Sequence, residues 1–221
     1  MQLLLLLLLL LAVLAPGVFA GIALALLLIL PAYLMVSSVL TVVLAPQQIL
    51  AIASDKRTRR THSCEHATVN VLEEWYGPQP QVGGAATPQG FYIWGAHGFP
   101  PEALLRAAQS GIARMKSGEA GLALHPRCGT SLVVARFVFA LVFLFSLIVT
   151  GYLTLMGLLI AFLSAWLLGR PLGLLAQKYF TTSPHVDRLH IAEVYWSPRP
   201  SLGGWGVFFI PGGAYFFRTT Q

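Results

Sequence analysis

Apolar residues run from Leu3 to Ile52 with only scattered small and polar interruptions, none of them charged. A helix rises about 1.5 Å per residue, so a ~30 Å hydrocarbon core takes about 20 apolar residues to cross. The stretch is long enough for two spans, and the pattern predicts them at roughly 3–29 and 33–53, with Pro16 as a kink and Pro31 at the turn. A signal peptide cleaved after Val18-Phe19-Ala20 is the competing reading, and the lack of Lys or Arg ahead of the apolar run argues against it. A second apolar block, Phe137 to Gly169, is too long for one untilted span. Thr150-Gly151-Tyr152 at its centre predicts a short hairpin of two helices, with one long tilted helix as the alternative.

The segments between and after these blocks have shorter periods. Residues 61–76 have helical apolar spacing and stop at Gly77-Pro78. Residues 77–90, rich in Gly, Pro and Gln, read as loop, and Phe91-Tyr92-Ile93-Trp94 as a short strand. Pro100-Pro101-Glu102 opens an amphipathic helix to about Lys116, and Ala120 to Leu124 reads as a second strand. After the second block, Gly173 to Phe180 continues as an interfacial helix. Ser183-Pro184 then starts a short helix over roughly 184–195. In the tail, Gly203 to Ile210 and Ala214 to Phe217 flank Pro211-Gly212-Gly213, a β-hairpin signal.

The expected fold is therefore a mainly α membrane protein. Two transmembrane helical hairpins (1–54 and 132–169) flank a small α+β module (55–131), and 170–221 forms a C-terminal helix with a β-hairpin tail. Charge supports this division. Of the chain's residues 10% are charged and 56% hydrophobic, with a mean hydropathy of +0.72; an ordinary soluble domain is about 25% charged. All the charges fall in 55–136 and 170–221. Lys56, Arg57, Arg59, Arg60, Arg127, Arg136, Arg170 and Lys178 border the apolar blocks, whereas the expected turns at Pro31 and Gly151 have no basic residue. The positive-inside rule then puts both polar segments in the cytoplasm, at the plasma (inner) membrane of a multi-pass protein. The net charge of +6 is accounted for by topology and anionic headgroups. No nucleic-acid motif accompanies it, and no haem or nucleotide motif is present.

Two constellations carry chemistry. His62-Ser63-Cys64-Glu65-His66 is an H-x-x-E-H pattern. On a helix its two imidazoles lie one turn apart on one face, where they can share a metal ion, and Glu65 can reach a water beside it. This is the inverzincin arrangement. Glu73 lies two turns further along that face and is a candidate further ligand. His125-Pro126-Arg127-Cys128-Gly129 sets a second His and a Cys three apart in a forced turn, a compact metal-binding knuckle. His62, His66, His125 and Cys128 would complete a four-ligand zinc shell, which describes a structural site, whereas three ligands plus water describe a catalytic one. The metal-free alternative makes these ordinary buried groups, with Glu65 paired to Arg127. Cys64 reads as packing, and His97, His185 and His190 lack ligand spacing.

Glu65-His66, Thr68, Asn70 and Glu73, then HPRCGTS at 125–131, then Gln177 with Phe180-Thr181-Thr182 and Pro184, resemble the bacterial YqhQ-like membrane family of predicted metal-dependent enzymes. GFYIWG at 90–95 before an amphipathic helix looks closer to a sister family of uncharacterised membrane proteins. The resemblance covers roughly 60–195. It implies a metal-dependent membrane enzyme, supports His62, Glu65, His66, Glu73, His125 and Cys128, and adds Thr181 and Thr182 as site-lining hydroxyls. The chain lacks that family's N-terminal Gly-Gly-Gln-Ala-Val segment. The leading expectation is a zinc-dependent, peptidase-like hydrolase at the cytoplasmic membrane face, with Glu65 as base and Arg127 or the two threonines near a developing oxyanion. Its substrate would be a membrane-embedded peptide or a lipid-linked amide or ester. The alternative is a non-enzymatic accessory subunit of a larger membrane complex, with a structural zinc site.

Overall fold

The computed structural model describes residues 2–198 and 213–220. Helix α1 (Gln2–Leu14) breaks at Ala15, and α2 runs from Pro16 to Ser54. The turn expected at Pro31 is absent: Pro31 and Pro46 both lie inside α2. A proline removes only one helical hydrogen bond, and an apolar segment gains nothing by exposing more of its backbone. The chain breaks instead where Pro16 takes the first turn of α2, a position whose missing N–H costs no hydrogen bond.

Helices α5 (Gly129–Thr150) and α6 (Leu155–Ala176) form the expected second hairpin, closed at Gly151 in a left-handed conformation (φ 76°). Helix α2, helix α5 and α6 with its C-terminal extension are each long and apolar enough to cross a membrane. Near the polar end of the α5–α6 pair the helices touch through small residues. A Cβ on Gly169 would meet Ala135, and one on Gly173 would meet Ser131.

Helix α3 spans Lys56–Tyr76, starting five residues before the expected point. Asp55 caps it, accepting from the Arg57 N–H at 2.9 Å and the Thr58 hydroxyl at 2.6 Å. The stretch expected as loop contains strand β1 (Gly83–Thr87), which pairs through a two-residue turn with β2 (Gly90–Trp94). Helix α4 (Pro101–Lys116) is where the sequence places it. Residues Ala120–Ala123 form a single 3-10 turn rather than a strand.

The expected helix over 184–195 is replaced by strand β3 (His190–Ser197). Its alternating Ile191, Val194 and Trp196 find a partner in β4 (Ala214–Thr220), and that pairing outweighs the local helix signal. The other half of the expected tail hairpin, Gly203 to Ile210, lies outside the described residues. The four strands make one antiparallel sheet in the order β1-β2-β4-β3. Since β4 pairs with β2, the sheet joins chain from before and after the α5–α6 hairpin on one side of it. Helices α3 and α4 pack beneath, around Phe91 and Phe217 (stacked at 4.7 Å), Ile93, Leu72 and Leu104.

Candidate metal centre

His62 and His66 are buried on α3, and Cys128 is the N-cap of α5. Their ligand atoms all lie within 4.8 Å of one another, with Cys128 Sγ 3.3 Å from His62 Nε2. Tetrahedral zinc holds its N and S ligands at similar mutual distances, about 3.3–3.8 Å.

The tautomers are fixed by backbone carbonyls, which can only accept. His62 Nδ1 donates to the Thr181 carbonyl at 2.9 Å, and His66 Nδ1 donates to the Ala123 carbonyl at 2.8 Å. In the neutral ring each Nε2 is therefore the nitrogen that turns its lone pair to the centre, the usual support for a metal-ligating imidazole. Among the described residues, the buried His66 Nε2 has no hydrogen-bond partner. A metal ion there would supply what that atom lacks.

The electrostatics agree. Burial opposes charge on the Cys128 thiol, yet the His66 and His62 imidazoles hold it well below the usual thiol range. Burial likewise disfavours the His62 imidazolium, but the Cys128 thiolate, then Glu65 and the Thr181 carbonyl, raise it to about 9. The two shifts favour a proton on His62 Nε2 facing the Cys128 sulfur, and a metal ligand role for that nitrogen requires the proton to leave. A cation at the centre would take the proton's place.

Glu65 completes the group. Its Oε2 lies 3.6 Å from His62 Nε2 and 3.9 Å from His66 Nε2. Burial pushes its carboxyl up, against the pull of the two imidazoles. Strand β1 passes over it so closely that a Cβ on Gly84 would sit 2.5 Å from its Oε1.

The other expected ligands, His125 and Glu73, lie next to this trio. His125 Nε2 is buried, with no hydrogen-bond partner among the described residues; it lies 3.6 Å from Glu73 Oε2, and its ring centroid is 6.0 Å from that of His66. Burial and the neighbouring His66 hold His125 down, to about 4. Arg127 pairs with Glu73 and leaves Glu65 to the imidazoles. Thr181 contributes its carbonyl to His62, while its hydroxyl meets that of Thr130 at 3.3 Å. The Thr182 hydroxyl donates to the Gln177 carbonyl at 2.9 Å, and its own carbonyl accepts from Arg59. Cys64 is fully buried in the core, and burial pushes its thiol up to about 12.

Two amides hold the site and were given no role by the sequence reading. The Gln177 side chain, fully buried in the π-turn that ends α6, accepts from the His125 N–H at 2.9 Å. It donates to the His125 carbonyl at 3.0 Å and to Ser131 Oγ at 2.9 Å. Asn70 donates to the Leu122 and Leu124 carbonyls, both at 3.0 Å, and so fixes the turn that offers Ala123 to His66. Both amides belong to the matched motifs, the one signal that marked them.

The profile of a family described as Domain of unknown function (DUF6391) matches residues 57–194, more than half of the chain. The chain belongs to this family. The matched span contains all of the centre and its supporting amides, and ends inside β3. An uncharacterized protein of Picosynechococcus sp. (strain ATCC 27264 / PCC 7002 / PR-6) is 36% identical over 147 residues, covering 57% of this chain and 65% of that protein. No solved structure matches. The family description brings no reaction with it, and the family shown is DUF6391, where the motifs had suggested YqhQ-like proteins.

Proposed function

We propose that this protein is a membrane-bound, metal-dependent hydrolase, with zinc the metal best suited to a His62–His66–Cys128 site. The observation that carries the reading is the buried Glu65 carboxylate, 3.6 Å from His62 Nε2 beside three converging ligand atoms. A zinc ion there would supply Lewis acidity, making water easier to deprotonate at neutral pH. Glu65 takes the proton as the water oxygen adds to the substrate's carbonyl carbon. It returns that proton to the leaving nitrogen or oxygen as the old bond breaks, giving an acid and an amine or alcohol. The raised proton affinity of Glu65 suits both halves of this exchange. Its position next to the apolar α5–α6 hairpin supports a substrate in or near the membrane, a peptide or a lipid-linked amide or ester. Lys56, Arg57, Arg59 and Arg60, against the uncharged turn at Gly151, support a cytoplasmic site at the plasma (inner) membrane.

A second reading has its own observation: Glu65 Oε2 is near enough to both imidazoles to act as a fourth ligand. The site would then be closed and structural, and the protein an accessory subunit of a membrane complex. Glu65→Gln separates the two. In a hydrolase it keeps one equivalent of zinc and loses turnover of a quenched peptide or ester library. In a closed site it weakens zinc binding, and the wild type hydrolyses nothing.

A further inference from the structure

We infer that the site takes an extended polypeptide segment, bound as an added strand on the free edge of β1; this rests on the hydrolase reading above. The sheet order leaves β1 terminal, and among the described residues no strand pairs with its other edge.

Helix α3 touches β1 through two residues one turn apart. The Thr61 hydroxyl donates to the Thr87 carbonyl at 2.7 Å, and Glu65 lies against Gly84. Successive residues advance about 100° around a helix. His62 and His66 therefore lie about 100° to one side of this contact line. Ala67, against which Gly111 of α4 packs, lies about 140° to the other side by the same geometry. Strands β2, β4 and β3 extend over the α4 side, where α4 packs against β3. The open edge of β1 is thus on the flank that carries His62 and His66.

The register sets which groups face that opening. Thr87 and Gly90 flank the two-residue turn, so their peptide groups face one another, and alternation turns those of Ala85 and Gly83 toward β2. The N–H and C=O groups of Gly84 and Ala86 then point out from the edge. A chain pairing with them runs alongside α3 and brings a peptide carbonyl past Glu65 and the three ligand atoms. Main-chain pairing supplies affinity without demanding a particular side chain. Gly84 has no side chain because the Glu65 carboxylate occupies that space. A lipid-linked ester has no strand to add and makes no use of this edge.

The test uses zinc-loaded full-length protein in nanodiscs of phosphatidylcholine and phosphatidylglycerol. The probes are a fluorescent peptide library with extended backbones, the same peptides N-methylated at alternate residues in either phase, and a p-nitrophenyl acyl ester. Ala86→Pro removes one outward N–H at an edge position that tolerates proline. It should keep one equivalent of zinc, while kcat/KM falls about tenfold further on peptides than on the ester, the worth of one such hydrogen bond. N-methylation in one phase should weaken peptide binding to Glu65→Gln about tenfold, and the other phase should leave it unchanged. Equal effects of the two phases, or ester cleavage with no peptide binding, overturn the added strand and leave the hydrolase reading standing. Phase-dependent peptide binding with no hydrolysis of either probe by the wild type supports the strand and overturns the hydrolase.

Discussion

His66 donates its Nδ1 proton to the carbonyl of Ala123, which stands in a 3-10 turn held in place by Asn70. The hydrogen bond fixes the ring so that the opposite nitrogen faces the centre. Loss of such an outer partner typically costs about 10–100-fold in metal affinity. Asn70→Ala should therefore weaken zinc binding by about that factor in a chelator competition, although Asn70 provides no ligand atom to the trio. Unchanged affinity would mean that the turn holds its shape without the amide.

The two cysteines should differ sharply in reactivity. Cys128 is held as a thiolate by two imidazoles, whereas Cys64 is fully buried, with a thiol pushed up to about 12. With the Cys128 thiol pulled down and the Cys64 thiol pushed up, Cys128 presents far more of the nucleophilic thiolate form at any given pH. In the metal-stripped protein iodoacetamide should label Cys128 first, and added zinc should suppress the labelling. Mass spectrometry of the peptides distinguishes the two. Labelling of Cys64 first, or labelling of Cys128 that is indifferent to zinc, would sink the assignment of Cys128 as a ligand.

The contact of Gly84 with Glu65 makes a separate prediction. In Gly84→Val the new Cβ falls 2.5 Å from Glu65 Oε1 and Cγ, so the carboxylate must move. A displacement of about 1 Å at a reacting group can cost about 100-fold in rate. Hydrolysis should fall by that order while one equivalent of zinc is retained. Wild-type turnover in this variant would show that Glu65 is not held by β1.

What the sequence disclosed follows from the range of the interactions involved. The His62–Glu65–His66 spacing is legible because a helix repeats locally, and the turn around Cys128 because Pro126 and Gly129 announce it. Gly151 closes the α5–α6 hairpin for the same reason. The misses all depend on distant partners. Gly83-Gly84-Ala85-Ala86-Thr87 contains little that favours a strand and becomes one by pairing with β2. Residues 190–197 follow a Ser-Pro helix signal, yet pair with a strand that begins at Ala214. The ligand chemistry of His125 and its spacing from Cys128 are legible in the sequence, whereas its neighbour Glu73, 3.6 Å away, is set by the fold.

Gln177 offers the most direct test of how the hairpin supports the centre. Its amide joins the end of α6 to both backbone groups of His125 and to Ser131 on α5, with no exposure to solvent. Gln177→Leu keeps most of the volume and strands three buried polar groups, each costing about 1–3 kcal/mol. The variant should lose on the order of 3 kcal/mol of stability in detergent. It should also bind zinc more weakly, because the turn that carries Cys128 loses its anchor. Gln177→Glu should fall between the two: burial keeps its carboxyl protonated, so it still accepts from the His125 N–H but has one donor for the carbonyl and the serine where the amide has two. Denaturant titration and zinc competition on the three proteins should give the order Gln, Glu, Leu in both measurements. If Gln177→Leu kept wild-type zinc affinity despite lower stability, the amide would secure the helices alone, and Cys128 would owe its position to the α5 N-terminus.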